Sequence, residues 1–414
     1  MPNAPSSLAV PRSGLHRVEV DLAPVTPIFC GGASQQLSEW RLSSLKGQLR
    51  FWYRAWNAAA SHPFSGMEAW REDAVFGGAG LFGEPSLADS NAGQCPFLME
   101  LAPRREETRE FSFSAASPGL KYLAFPLRDS RPGHRFLVPG RQATVTVRMI
   151  FPRPGRVTFE GLRGLLASWW LFAHLGALGF RARRGFGSIA LTGWRTNWAD
   201  AEDAMSSLPL PATAHDGLAY TRALRAGLNV LSGWLPESHR WPRQNRHPSM
   251  GAAAGVVVTP MPRSGSMDWM GILSTIGDEL KAFRKEIAER ERRHKEGASA
   301  RVTLGLPMNT TLERHSPQWL PWRRRRSTAS AGKRHASPVH IRLARAGGEW
   351  VPCWVFLDGP VPGLDRYRVV LVGGRDSKDP SPVSAAGNAG MQLRERLQGY
   401  ADASWIPFEM GAPR

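Results

Sequence analysis

Basic side chains recur at helical spacing near the start of the chain. Lys46, Arg50 and Arg54 stand at i, i+4 and i+8, so one face of a helix would carry all three. Arg41 and a Gly31-Gly32 pair come shortly before them. A glycine loop and a helix start expose N–H groups that suit phosphate, and arginine can bind phosphate with two hydrogen bonds. A core helix whose basic side chains reach water would show the same pattern.

A second candidate for phosphate binding follows the most apolar part of the chain, in residues 181–188. Arg181, Arg183 and Arg184 supply charge, and Phe186 is an aromatic ring on which a base could stack. Gly185 and Gly187 lack side chains, so a strand of nucleic acid could approach the backbone closely there. The alternative is a basic turn that joins a buried helix to a strand.

The sequence offers little for catalysis. His16, His134 and His174 are the histidines that metal-independent RNA cleavage would draw on, but no paired carboxylates accompany them, and Glu39 is the carboxylate near the glycine loop. The stretch 78–83 fits G-x-G-x-x-G without the strand and helix that dinucleotide binding requires. We therefore expect no catalytic residue, no metal, no cofactor and no enzyme activity.

Charge favours a polyanionic partner. The 414 residues contain 53 Lys and Arg against 35 Asp and Glu, a net charge of +18, and nucleic acid is the first candidate, with an anionic membrane surface second. Residues 281–346 hold 17 Lys and Arg against 5 Asp and Glu, which is about two-thirds of the net charge. Within them, the segment 323–336 begins with four consecutive arginines and is interpreted as a mobile basic loop.

The compartment is indicated by cysteine use and by hydropathy. The three cysteines, Cys30, Cys95 and Cys353, are too few and too far apart for a disulfide framework or a four-cysteine zinc site, which favours a reducing, cytoplasmic setting. The N-terminal residues lack the apolar segment of a signal peptide. The most apolar stretch, Leu165 to Phe180, is shorter than the roughly 20 residues that span a bilayer, so it is interpreted as a buried helix and no membrane partner is expected.

The pattern of elements predicts an α+β fold. In the first half, the order is strand, helix, strands, helix, loop, strand, as in the β-α-β-β-α-β ferredoxin-like unit that RRM domains share. One predicted helix, from about residue 43 to 59, carries an apolar stripe of Leu45, Leu49, Trp52 and Trp56. We predict a flexible tail at 1–14, a first domain at 15–205, a linker near 206–214 and a second domain at 215–414.

Several motifs together resemble a known family, the Cmr-one RAMP proteins. The first block is Thr26-Pro27-Ile28-Phe29-x-Gly31-Gly32, followed by Leu42-Ser43-Ser44-Leu45-Lys46-Gly47-x-Leu49-Arg50-Phe51-Trp52-x-Arg54-Ala55. Arg183-Arg184-Gly185-Phe186-Gly187-Ser188 is similar to the RAMP glycine-rich loop, and Leu304-Gly305-Leu306-Pro307 and Arg334-His335-Ala336-Ser337-Pro338-Val339 resemble the family's C-terminal pattern. Cys30 stands where glycine is usual.

The resemblance implies tandem ferredoxin-like (RRM-like) RAMP domains with insertions. It also implies a non-catalytic subunit of a type III-B CRISPR (Cmr) effector complex that holds the 3′ region of the guide RNA, assists target RNA capture and contacts other RAMP subunits. The residues expected to bind RNA are Arg41, Lys46, Arg50, Arg54, Arg181, Arg183, Arg184, Gly185, Phe186 and Gly187.

Two other functions stay open at this point. A metal-independent endoribonuclease of the same fold would process CRISPR repeat RNA, and His16, the histidine nearest the glycine loops in sequence, would be tested first. A scaffold that contacts only protein would show no RNA affinity at low salt and a large exposed apolar patch.

Overall fold

The protein is represented by a computed structural model. The structure describes residues 15–32, 37–57, 75–76, 95–102, 106–127, 134–140, 143–235, 248–251, 254–259, 267–294, 304, 308–309, 318–324, 329–331, 337–358, 368–372, 381–382, 389–400 and 402–408. The predicted tail at 1–14 and the G-x-G-x-x-G stretch at 78–83 lie outside these ranges.

Helices and strands are interleaved along the described chain. The helices are α1 (Leu42–Asn57), α2 (Pro118–Ala124), α3 (Phe159–Leu175), α4 (Ala199–Ser206), α5 (Gly217–Gly233), α6 (Trp269–His294) and α7 (Ala389–Gln398). The strands are β1 (His16–Pro24), β2 (Leu98–Leu101), β3 (Thr108–Glu110), β4 (Arg135–Leu137), β5 (Val145–Phe151), β6 (Ile189–Thr196), β7 (Gly255–Val258), β8 (Met308–Asn309), β9 (Gln318–Arg324), β10 (Ala329–Ala331), β11 (Val339–Ala346), β12 (Glu349–Phe356), β13 (Arg368–Val372), β14 (Ser381–Pro382) and β15 (Ser404–Pro407).

The first half forms the predicted ferredoxin-like unit. Its antiparallel sheet has the order β2-β5-β1-β6, α1 follows β1, and α3 connects β5 to β6. The short pair β3-β4 and helix α2 are an insertion between β2 and β5. This is the β-α-β-β-α-β arrangement, with the first strand between the third and the fourth.

The second half repeats the same topology. Its sheet has the order β11-β12-β7-β15, α6 follows β7, and α7 lies between β12 and β15 in the chain. Two insertions, β8-β9-β10 before β11 and β13-β14 after β12, combine into a third sheet. The tandem ferredoxin-like fold that the resemblance implied is therefore confirmed.

The predicted helices rest on apolar faces that the structure buries. The stripe Leu45, Leu49, Trp52 and Trp56 of α1 is buried, as its spacing indicated. Thr158 caps α3 by accepting a hydrogen bond from the N–H of Gly161, and nearly the whole helix is buried. It ends at Leu175 rather than continuing through the apolar run to Phe180.

The segment between the two units packs closely against the first. In α5, a Cβ atom built on Gly227 would lie 2.1 Å from the Trp170 ring. The indole of Trp56 donates a hydrogen bond to the carbonyl of Leu231 at 3.1 Å. Helix α5 begins the predicted second domain, yet it packs on the first unit. The domain boundary between residues 205 and 215 stays a prediction.

The predicted basic loop at 323–336 includes residues that the structure places in strands. Arg323 and Arg324 belong to β9, and they pair with Ser330 and Ala329 of β10. These backbones form an antiparallel ladder, so this part of the segment is strand rather than loop. Residues 325–328 and 332–336 lie outside the described ranges.

Candidate nucleic-acid interface

The first motif and the glycine-rich loop form one hydrogen-bonded unit. The Thr26 hydroxyl donates to the carbonyl of Gly185 at 2.7 Å and accepts from the N–H of Ser188 at 2.9 Å. The carbonyl of Pro27 accepts from the N–H of Gly187 at 2.8 Å. Two motifs about 160 residues apart in sequence therefore build the same surface.

The glycines of the loop are packed against protein. Gly187 has a φ of +72°, and a Cβ atom there would lie 1.9 Å from the carbonyl oxygen of Leu178. Gly185 has a φ of +90°, and its Cβ would lie 2.3 Å from the Leu273 side chain of α6. Both positions need glycine because the chain itself occupies the space in which a side chain would lie. The close approach of nucleic acid to these two glycines stays a prediction.

Phe186 does not offer a face for base stacking. Its side chain is 0% exposed, and its ring centroid lies 5.6 Å from that of Phe29 and 6.0 Å from that of Phe111. The expectation that Phe186 stacks a base is therefore wrong. The ring belongs instead to an apolar cluster that contains residues of both units.

The three arginines of the loop are partly exposed and hydrogen-bonded to backbone carbonyls. Arg181 donates to the carbonyl of Leu123 at 2.6 Å, Arg183 to that of Ser337 at 2.6 Å, and Arg184 to that of Leu304 at 3.3 Å. Among the described residues, no carboxylate forms an ion pair with any of them.

Burial and mutual repulsion make this positive charge less stable than in water. Burial lowers the pKa of Arg181 and of Arg183 to about 10. The pKa of Arg184 falls to about 9, chiefly through burial and then through the charges of Arg181 and Arg284. All three guanidinium groups still carry charge at neutral pH, so an anion bound here would relieve their repulsion.

Helix α1 meets this loop through Phe51. The Arg183 guanidinium lies 5.5 Å from the centroid of the Phe51 ring. On the same helix, the basic stripe Lys46, Arg50 and Arg54 is partly exposed, and the Lys46 ammonium lies 5.9 Å from the Phe97 ring. The two basic segments that the sequence singled out are thus brought together at one contact.

Arg41 lies immediately before the first residue of α1. It donates to the carbonyl of Gly31 at 2.8 Å and lies 3.7 Å from the Glu39 carboxylate. The carboxylate offsets its charge, so Arg41 adds less positive potential than the arginines of the loop.

The loop lies at the seam between the two units. Gly185 donates its N–H to the carbonyl of Ile341 at 2.9 Å, and Ile341 donates to the carbonyl of Arg183 at 3.3 Å, so the loop pairs in parallel with β11. Behind it, the buried Arg342 donates to the carbonyls of Ala173 at 2.8 Å and Ile189 at 3.0 Å. Tertiary contacts of the second unit therefore determine where the loop sits.

The positions of the three candidate histidines relative to the loop differ from what their places in the sequence suggest. His16 lies at the start of β1, against the Trp198 ring at 5.0 Å, and a strand of this length separates it from Pro24, two residues before Thr26, by about 26 Å. Its closeness in sequence to the glycine loops is therefore not closeness in space. His174 is buried as expected, and His134 lies beside the loop, 6.4 Å from the Phe180 ring.

The open face of the first sheet carries a feature that sequence reasoning missed. Arg148 pairs with Glu19 at 2.5 Å and also with Glu100, and Arg195 pairs with Glu19 at 2.6 Å and with Asp21 at 2.7 Å. An RRM stacks bases on the aromatic side chains of this face. Here the positive charges are matched by carboxylates, which do not favour RNA. The alternation of charge and apolar residues along β1 was the signal for this face.

In the part of the chain that the structure describes, no three His, Cys, Asp or Glu side chains gather in a way that could hold a metal ion. No helix within the described ranges is long and apolar enough to cross a membrane.

Comparisons with known proteins agree with this architecture. The family model described as the RAMP superfamily matches residues 21–190. The CRISPR system Cmr subunit Cmr1-2 of Pyrococcus furiosus is 25% identical over 186 residues, which cover 41% of this chain and 91% of that protein. The resemblance stated from the motifs is confirmed.

Solved structures show the same fold over nearly the whole chain. The apo form of Cmr1 from Pyrococcus furiosus superposes with a TM-score of 0.56 at 14% identity, covering 94% of this chain and 98% of that one. A chain of the type III-B Cmr-beta structure bound to cognate target RNA has a TM-score of 0.51 at 11% identity, covering 92% and 99%. At these identities the likeness establishes the fold.

Proposed function

We propose that this RAMP protein is a non-catalytic, RNA-binding subunit of a type III-B CRISPR (Cmr) effector complex. In this role it holds the 3′ region of the guide RNA, assists the capture of target RNA and contacts other RAMP subunits in the cytoplasm. The likeness to Cmr1 and to a chain of a target-bound Cmr structure supports the proposal.

The observation that carries the proposal is the arginine loop at the seam. Arg181, Arg183 and Arg184 lie together without a carboxylate partner among the described residues, and Arg183 adjoins α1 through Phe51. A group of guanidinium charges that no carboxylate in the described ranges neutralises suits the phosphate backbone of RNA. Lys46, Arg50 and Arg54 on α1 are proposed to extend this basic surface.

The proposed interface follows the seam and α1 rather than the open face of the first sheet. Gly185, Gly187 and Phe186 support it from within, because they let the loop pack on α6 and β11. Arg181, Arg183, Arg184 and the α1 stripe would contact phosphates. Such contacts position a strand without reading its sequence.

Salt dependence tests the assignment. Replacing two phosphate contacts by Arg50→Ala and Arg54→Ala should weaken binding of single-stranded RNA, and the slope of log affinity against log salt should fall by about 1.4. The measurement is a fluorescence anisotropy titration over a salt series. Arg222→Ala with Arg225→Ala on α5, two exposed arginines on another helix, is the matched control.

Unchanged affinity and slope in the α1 double variant would contradict the site assignment. Absence of RNA binding by the wild-type protein at low salt would contradict the function itself and leave the protein-only scaffold.

The endoribonuclease alternative has a specific candidate in the structure. His134, rather than His16, lies beside the arginine loop, and a histidine there could serve as a general acid or base. Incubating the purified chain with repeat RNA in the presence of EDTA tests this function. Cleavage that His134→Ala abolishes would establish it, and intact RNA would dismiss it.

A further inference from the structure

An exposed aromatic residue, Phe180, lies directly before the arginine loop in the chain. The Phe180 side chain is 45% exposed, whereas Phe186 in the same loop is 0% exposed. A large apolar ring in water is unfavourable unless a partner covers it. Phe180 directly precedes Arg181 in the chain, so the exposed ring adjoins the arginine loop.

The backbone around this ring is held in an unusual conformation. Gly179 has a φ of +92°, and a Cβ atom there would lie 2.3 Å from the carbonyl oxygen of Phe29. Arg181 has a φ of +61°, and it is the residue other than glycine with positive φ in the described part of the chain. Side-chain-bearing residues disfavour this region, and such strain clusters at functional sites.

Hydrogen bonding fixes the strained turn in place. The N–H of Phe180 donates to the carbonyl of Phe29 at 2.6 Å, and the Arg181 guanidinium donates to the carbonyl of Leu123 at 2.6 Å. The turn is anchored on both sides of Phe180 while the ring itself remains open. The backbone on either side of Phe180 is therefore held in an unfavourable conformation, although the Phe180 side chain contributes little to the core.

His134 supports the ring from one side. The two ring centroids lie 6.4 Å apart with an interplanar angle of 34°, and His134 also contacts the buried Phe29 ring at 6.5 Å. A row of aromatic rings thus leads from the core to Phe180. This orders the exposed ring at low entropic cost before any partner arrives.

We propose that Phe180, supported by His134, is a stacking platform for one unpaired base of single-stranded RNA, with the flanking phosphates bound by Arg181, Arg183 and Arg184. The inference rests on the proposed function and names the part of the interface that holds a base. Proteins that bind single strands combine basic grooves with aromatic platforms in this way. Stacking tolerates any base, so the site would hold the strand irrespective of its sequence.

The test compares two exposed phenylalanines at opposite ends of α3. Phe159 starts this helix, is 42% exposed and has the Arg163 guanidinium 4.1 Å from its ring centroid. Phe180 lies beyond the other end, about 25 Å away along the helix. Phe159→Ala is therefore a control matched in side chain, exposure and a neighbouring arginine.

The full-length protein is titrated with short single-stranded RNA carrying one 2-aminopurine, placed at each position in turn. Phe180→Ala should weaken binding about tenfold, abolish the quenching of one 2-aminopurine and leave the salt slope unchanged, because no charge is removed. Phe180→Trp should retain affinity and quenching, and Phe159→Ala should behave as wild type.

The platform would be refuted if Phe180→Ala bound RNA with wild-type affinity, or if Phe159→Ala lost as much RNA affinity as Phe180→Ala. The proposed function would stand in either case. Unchanged RNA binding together with loss of co-purifying complex subunits would also overturn it, since the ring would then contact protein. Failure of the wild type to bind RNA would refute the proposed function first. A second test does not depend on the folding of Phe180→Ala: the wild-type protein is photo-crosslinked to RNA that carries 5-iodouridine. If the crosslinked peptides do not contain Phe180, the platform is refuted.

Discussion

The two ferredoxin-like sheets share a topology but differ in how many faces are covered. In the first sheet, β5 alternates regularly between buried and half-exposed residues, and the open face carries Glu19, Arg148 and Arg195. In the second sheet, β11 and β12 are buried along almost their whole length. The same fold thus yields one sheet with a free polar face and one sheet enclosed by protein.

The enclosing elements explain the difference. Val256 and Val258 of β7 pack into the core of the first unit, while Val257 between them packs with the helices of the second. Because both faces are covered, a polar side chain of the second sheet is buried, and its burial costs free energy unless it is hydrogen-bonded. Loss of a charged side chain should therefore destabilise the protein more in the second sheet than in the first, and the following variants measure that difference.

The largest effect is expected at Arg342, an arginine on the enclosed sheet that is 1% exposed. Arg342→Met should lower the free energy of unfolding by about 3 kcal/mol, because the carbonyls of Ala173 and Ile189 lose charged hydrogen-bond donors in a buried setting. Chemical denaturation at pH 7.5 measures it. A loss below about 1 kcal/mol would mean that the seam does not depend on this side chain.

A pH effect of intermediate size should come from the buried histidines. Burial lowers the pKa of His174, with a further contribution from Arg342, and burial lowers that of His340, with contributions from Arg183 and Arg184. The folded state keeps both neutral, whereas the unfolded chain binds protons below a pH of about 6.5. Stability should therefore fall as the pH drops below that value, by up to about 1.4 kcal/mol per histidine at pH 5.5.

Thermal unfolding at pH 7.5 and 5.5 checks this dependence. The loss between the two pH values should shrink in His174→Gln and in His340→Gln, each compared with itself so that any pH-independent destabilisation cancels. His215→Gln, whose side chain is 78% exposed, should keep the wild-type loss. Identical losses in all four proteins would locate the pH dependence elsewhere.

The smallest effect is expected on the open face of the first sheet. Burial alone would raise the pKa of Glu19, but hydrogen bonds and charge from Arg148 and Arg195 outweigh it and lower that pKa. Arg148→Met removes one of two cationic partners from a partly exposed network, so it should cost about 0.5–1 kcal/mol, less at high salt. Denaturation in low and high salt measures it.

The same variant also separates the two candidate RNA surfaces. Arg148→Met should leave the salt slope of RNA binding unchanged, in contrast to the α1 double variant. A lower slope would place RNA on the open sheet face, as in an RRM, and would contradict the interface proposed at the seam.

Local pattern was sufficient for much of the first unit. The apolar stripe of α1, the alternating strands and the buried helix after residue 159 follow from periods of 3.6 and 2.0, which neighbouring residues alone express. The basic character of α1 and of residues 181–184 was also readable from residue type. The open charged face was present in the alternation of β1 but was not interpreted.

The exposure of each loop side chain was not readable in this way. Phe186 looked available because it stands among glycines and arginines, yet segments far along the chain enclose it. Phe180 looked like the end of a buried helix, yet α3 ends at Leu175 and the strained turn leaves its ring exposed.

The sequence by itself determined the net charge, the helix and strand periods of the first half and the motifs that resemble those of RAMP proteins. Only the tertiary structure decided that Gly185 and Gly187 accommodate Leu273 and Leu178, that His134 rather than His16 adjoins the loop, and that the second sheet is covered on both faces. The physical reason is the distance in sequence between the residues that determine each feature. Periodicity is set by residues a few positions apart, whereas several partners of the loop, such as Leu273 for Gly185 and Ile341 for Arg183, lie far away in sequence.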